Sequence, residues 1–144
     1  MTQGGSPLEH EPRRITVLVA DDETMLQKML CDVLAAHGFH VLSADNGKEA
    51  LDAAAQYSDS IDLLISDVQM PVMTGPDLAR QLQILRPELK VMLISAYPLG
   101  ELVLDRDWQF VQKPFLPNAL LQEICNMLDQ PPTPDARGRA EMDD

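Results

Sequence analysis

Apolar residues gather in runs of strand length, and the polar residues that close those runs share a chemistry. Residues 15–20 lead into Asp21-Asp22, residues 61–66 into Asp67, and residues 91–94 into Ser95. A further run, Trp108-Gln109-Phe110-Val111, leads into Lys113-Pro114. The runs ending at Asp21, Asp67 and Ser95 are almost continuously apolar, as strands covered on both faces should be. His40 to Ala44 is shorter and more polar, which suits a sheet edge.

Between the runs the apolar period changes to that of a helix. Met25, Leu26, Met29, Leu30, Val33 and Leu34 form one apolar set, with Gly38 where a C-cap glycine belongs. Asn46-Gly47 opens a second helix with Ala50, Leu51, Ala54 and Ala55 expected inward. Pro71 keeps residues 68–73 from being helical throughout. Thr74-Gly75-Pro76 then starts a third helix, with Pro76 tolerated in the first turn and Leu78, Leu82 and Leu85 expected inward. Residues 98–106 offer only Leu99, Leu102 and Val103, so a fourth helix there is expected to be short or irregular. The last helix spans residues 117–128, with Leu120, Leu121, Ile124 and Leu128 expected buried.

Five strands alternating with about five helices make a βα series, which right-handed crossovers wind into an α/β fold with a doubly wound parallel sheet. The polar strand ends then converge on one sheet edge, where open α/β folds place their ligand site. Residues 1–13 and 130–144 lack periodicity and carry Gly, Pro and charge, so a disordered leader and tail are expected around one domain, residues 14–129.

Charge narrows the function. Eleven basic against 23 acidic side chains leave a net charge of -12, which argues against binding nucleic acid or an anionic membrane. No run reads as a secretory leader or membrane span, so a cytoplasmic location is expected. Cys31 and Cys125 fall in helical patterns without a metal-site spacing and read as buried free thiols.

Gathering Asp21, Asp22 and Asp67 at one edge is costly. At about 4 Å, each like-charge pair is unfavourable by about 4 kcal/mol at an effective dielectric of 20. Lys113 and a divalent cation are the candidates to balance it, and hard oxygen ligands with room for water suit Mg²⁺ (or Mn²⁺). Taken singly, these residues have plainer roles: helix caps for Asp21-Asp22, a satisfied strand-end hydroxyl for Ser95, a solvated lysine for Lys113, core packing for Phe110.

The set resembles the receiver domain of two-component response regulators. The resemblance rests on Asp21-Asp22-Glu23, on Asp67 followed by Met70-Pro71 and Gly75, on Ser95-Ala96, and on Lys113-Pro114-Phe115 in that order, and covers about residues 15–128. It implies the flavodoxin-like strand order 2-1-3-4-5. It also implies a signalling domain and not an enzyme: a phosphoacceptor fed by a histidine kinase or histidine phosphotransfer protein, which switches a surface read by an unknown downstream protein.

By that resemblance Asp67 is the phosphoacceptor, Asp22 and Asp67 ligate Mg²⁺ with the backbone carbonyl of Gln69, and Asp21 acts through water. Lys113 and Ser95 would hold phosphoryl oxygens, Ser95 and Phe110 would form the switch, and Gln69 and Tyr97 would tune phosphate lifetime. Lys113-Pro114 is a candidate cis peptide. With a truncated fourth helix, output is expected to use the fifth strand and last helix, or the first helix. Three further readings stay open: the receiver module of a hybrid sensor kinase, a pseudo-receiver that is never phosphorylated, and an aspartyl-phosphate phosphatase. The phosphatase pattern spaces two aspartates by one residue after the first strand, which adjacent Asp21-Asp22 does not match.

Overall fold

The computed structural model describes residues 14–96 and 108–128. Five strands, β1 (Thr16–Ala20), β2 (His40–Ala44), β3 (Leu63–Asp67), β4 (Lys90–Ser95) and β5 (Gln109–Gln112), form one sheet ordered β2-β1-β3-β4-β5. Every neighbouring pair is parallel. The helices among the described residues are α1 (Thr24–Ala36), α2 (Gly47–Gln56), α3 (Gly75–Leu85) and α4 (Pro117–Leu128). This is the expected fold, with β2 at an edge. The expected leader and tail, and residues 97–107, where a short or irregular fourth helix was expected and which include Tyr97, lie outside the described residues.

Alternation along each strand sends side chains to both faces, and each face is covered by helices. Leu18, Ala20, Leu64 and Leu93 pack with Ala50 and Ala54 of α2 and Leu78 and Leu82 of α3. Val17, Val19, Ile65 and Ile94 pack on the other face with Leu30 and Leu34 of α1 and Leu120 and Ile124 of α4. Helix starts follow the sequence: Asn46 accepts from the Glu49 amide at 2.8 Å and Thr74 from the Asp77 amide at 3.2 Å. Gly38, at φ 102, turns the chain out of α1.

Some inward assignments fail. Met25 is 86% exposed at the start of α1, and Leu85, the last residue of α3, is 63% exposed, because the core that covers Leu78 and Leu82 stops short of that helix end. Ala55 is exposed because Ala54 points inward and successive helix residues diverge by about 100°. Leu121 and Leu128 are half-buried, and Cys125 takes the buried position beside Ile124. Both cysteines are free, but Cys31 is only half-buried.

Arg86, just past α3, closes the end of α2. Its guanidinium donates to the carbonyls of Ala54 at 2.9 Å and Tyr57 at 2.8 Å, which the helix end leaves without intrahelical donors, and to that of Asp59 in the following loop at 2.8 Å. Among the described residues no helix is long and apolar enough to cross a membrane.

Candidate functional site

Parallel register brings the acidic residues together. Ala20 of β1 pairs with Ser66 of β3, so the next residues, Asp21 and Asp67, leave the sheet side by side. On the other flank Ser95 pairs with Gln112, and the Lys113 amide donates to the Ser95 carbonyl at 2.7 Å. One sheet edge thus carries Asp21, Asp22, Asp67, Ser95 and Lys113.

Carboxylate oxygens of Asp21, Asp22 and Asp67 all lie within 4.8 Å of one another. Asp21 and Asp67 are buried, at 2% and 9% exposure, while Asp22 faces solvent. Lys113 Nζ lies 3.7 Å from Asp67 Oδ2 and 3.9 Å from Asp21 Oδ2, and makes its shortest contact, 2.8 Å, with Glu23 Oε1. The Lys113-Pro114 peptide is cis.

The Asp21-Asp22 turn is tied down from three sides. Asp21 Oδ1 accepts from the Glu23 amide at 2.8 Å, and the Asp21 amide donates to the Ala44 carbonyl at 3.1 Å. Gln27 Nε2 reaches back from α1 to the carbonyls of Asp21 at 2.9 Å and Ala44 at 3.0 Å and to Asp45 Oδ1 at 2.8 Å. Around Asp67, the Ser66 hydroxyl donates to the Asp67 carbonyl at 2.9 Å, and the Gly75 amide donates to the Val68 carbonyl at 2.8 Å. A Cβ at Gly75 would sit 2.3 Å from the Asp67 carbonyl oxygen, so only glycine lets α3 start this close to the strand end. Val72, in the intervening loop, is held at φ 75 and is 92% exposed.

Burial raises Asp21 from an ordinary 3.8 to about 6; the Glu23 amide and Lys113 pull it down, and the Asp67 and Glu23 charges push it up. Asp67 is also raised, chiefly by burial, with Asp22 and Glu23 adding to it and Lys113 and the Gln69 amide opposing it. Burial alone would lower Lys113, but Glu23, Asp21 and Asp67 together outweigh it and hold the ammonium above its ordinary value. Among the described residues, the carboxylates of Asp21, Asp22, Glu23 and Asp67 face one ammonium, that of Lys113, so the edge keeps surplus negative charge. Its donors are hard oxygens, some facing solvent, and that set fits Mg²⁺.

The other expected residues divide. Ser95 is buried at 4% exposure on the strand beside Asp67. Gln69 is exposed, and its backbone N–H donates to the Asp67 carboxylate. Phe110 is half-buried against the core on the α2 and α3 face. Beside the site, between α1 and the residues after β5, runs an open groove of about 420 Å³ whose wall includes Met25, Leu26, Met29, Pro114 and Phe115. Glu23 and Gln27 were not among the expected site residues. The signal available for Glu23 was its place in the run Asp21-Asp22-Glu23; that it, and not Asp21 or Asp22, is the N-cap of α1 only the structure shows.

A family model described as "Response regulator receiver domain" matches residues 17–125. The chain is 34% identical over 116 residues to the response regulator receiver protein CpdR of Brucella abortus (strain 2308), covering 78% of this chain and 95% of that protein. It is 32% identical over 119 residues to the sensor kinase CckA of the same organism, covering 80% of this chain but 13% of the kinase. Among solved structures, a chain of the CheX-CheY-BeF3-Mg²⁺ complex from Borrelia burgdorferi matches with a TM-score of 0.70 at 26% identity, covering 79% of this chain and 89% of that one.

Proposed function

The chain belongs to the response regulator receiver domain family, and from that premise we propose that Asp67 is the residue that takes the phosphoryl group. The observation that carries this reading is the meeting of three carboxylates within 4.8 Å, with Lys113 Nζ 3.7 Å from Asp67. The donor is a histidine kinase or histidine phosphotransfer protein, and a downstream protein reads the result.

An Asp67 carboxylate oxygen attacks the phosphorus of the donor phosphohistidine. The new O–P bond forms as the P–N bond breaks, and its electron pair leaves on the imidazole nitrogen, giving an acyl phosphate. Phosphoryl transfer asks mainly for positioning and for neutralisation of the equatorial oxygens. Lys113 supplies an ammonium for one of them and the Ser95 hydroxyl donates to another. Asp22, Asp67 and the Gln69 carbonyl would hold Mg²⁺ (or Mn²⁺), with Asp21 acting through water, and the ion would supply further charge neutralisation. A Mg²⁺-bearing CheY complex among the structural neighbours supports that ligand.

Phosphate next to Ser95 gives its hydroxyl a new acceptor, and Phe110, half-buried nearby on β5, turns further inward as the second part of the switch. Gln69 stands beside Asp67 and adjusts water access to the acyl phosphate, as does Tyr97. The domain works in the cytoplasm, either alone or as one module of a larger kinase. It turns over no substrate of its own.

Incubation with a small phosphodonor and Mg²⁺ followed by intact-mass measurement tests the reading. The wild type should gain one phosphoryl group and Asp67→Asn should gain none. A wild type that takes no phosphate would make the chain a pseudo-receiver. Steady hydrolysis of a generic phosphate ester would make it a phosphatase.

A further inference from the structure

Lys113 is closer to a residue outside the phosphoryl-handling set than to any member of it. Its Nζ is 2.8 Å from Glu23 Oε1, against 3.7 Å from Asp67 and 3.9 Å from Asp21. The Lys113 side chain is 16% exposed and that of Glu23 62%, so the pair bridges the buried site to its solvent rim.

Glu23 is free to do this because it declines the local task of its position. It is the N-cap of α1, yet its side chain makes no capping hydrogen bond. Asp21 Oδ1 takes the Glu23 amide instead, at 2.8 Å, and Gln27 fastens the Asp21 carbonyl at 2.9 Å. The turn is therefore fixed without the Glu23 carboxylate, and the positive end of the α1 dipole favours a carboxylate there. An N-cap residue whose side chain does not cap is the kind of broken local rule that marks function.

Resting on Asp67 as phosphoacceptor, we propose that Glu23 is a positioning residue that holds Lys113 at the rim and competes with the phosphoryl group for it. Forming the acyl phosphate then requires Lys113 to exchange the Glu23 carboxylate for a phosphoryl oxygen. Each phosphoryl-bound state is disfavoured by the strength of the ion pair it gives up. An exposed pair of this sort is worth up to about a fivefold change in an equilibrium constant, and it weakens with salt.

The test is a double-mutant cycle read by binding of beryllium fluoride, a non-covalent phosphoryl mimic, with saturating Mg²⁺, in wild type, Glu23→Gln, Lys113→Ala and the double variant. Fluorine NMR gives the bound fraction. Glu23→Gln should bind the mimic about 1.5- to 5-fold more tightly at low salt, with the advantage closing as KCl approaches about 1 M. In the Lys113→Ala background the same substitution should change affinity by much less. Equal affinity of wild type and Glu23→Gln overturns the proposal. So does an undiminished gain without Lys113, which would mean that the Glu23 charge repels the mimic directly. A merely structural Glu23 would shift melting temperature in every background but leave no salt-dependent coupling to Lys113. If Lys113→Ala binds too weakly to measure, the Lys113 Nζ resonance of wild type decides: it should move on adding the mimic in wild type and lie already displaced in Glu23→Gln, and an identical resting resonance in both refutes the competition. Failure of wild type to bind the mimic at all would instead count against Asp67 as phosphoacceptor.

Discussion

Gly75→Ala is the substitution whose cost follows most directly from the geometry. The added methyl would lie 2.3 Å from the Asp67 carbonyl oxygen and 3.1 Å from both the Asp67 carbonyl carbon and Ser66 Oγ. The first distance is about 1 Å inside van der Waals contact, and its partner is backbone at the end of β3, an inner strand of the sheet. Asp67 is buried and paired with Ile94, and Gly75 itself donates to the Val68 carbonyl at 2.8 Å, so neither side can give freely. Overpacking a closed site typically costs 1–3 kcal/mol, and a backbone clash belongs at the upper end, about 3 kcal/mol. For a domain of this size that is roughly a 10 °C fall in melting temperature. The same shift moves Asp67, and about 1 Å of misplacement at a reacting group can lower a rate by about a hundredfold. Thermal unfolding by circular dichroism and phosphorylation by a small phosphodonor, followed by intact mass, measure the two effects. A variant that melts within about 2 °C of wild type would refute the reasoning, because α3 would then have room to withdraw.

Three further outcomes are expected. Asp21 titrates near 6 in the folded chain against 3.8 when unfolded, so the folded state binds its proton more tightly and stability falls by about 2 kcal/mol as pH rises from about 4 to about 6, with about 3 kcal/mol lost over the whole titration. Mg²⁺ should offset that loss, raising the melting temperature more at pH about 7.5 than at about 5; an equal rise at both would contradict the charge assignment. Val72→Asn should gain about 1 kcal/mol, since a β-branched residue at φ 75 is strained and asparagine tolerates that region; unchanged urea unfolding would show the strain to be absent. Arg86→Met strips donors from the carbonyls of Ala54, Tyr57 and Asp59 and should cost about 2–4 kcal/mol in the urea midpoint at constant slope, whereas under about 1 kcal/mol would mean water replaces the guanidinium.

The alternation of apolar runs with helical periods was enough to predict the parallel sheet, the edge position of His40 to Ala44 and the helix starts at Asn46 and Thr74, because burial of apolar faces and capping act over a few residues. The carboxylates were legible for the same reason: each stands at the end of an apolar run. Periodicity misjudged Met25 and Leu85, since a helix wheel does not say how far the sheet extends beneath a helix end. Glu23 and Gln27 escaped because their partners are remote in sequence, Lys113 across 90 residues and Ala44 across 17. Gly75 stood among the residues that carry the resemblance, but the reason it must be glycine was not legible, since it arises from an approach to the Asp67 backbone that no local pattern encodes. Local chemistry in the chain thus determined which elements form and which charged groups end them. Only the strand register decided which of those groups touch, because contact at 3 to 4 Å depends on how separate segments align and not on what each segment prefers.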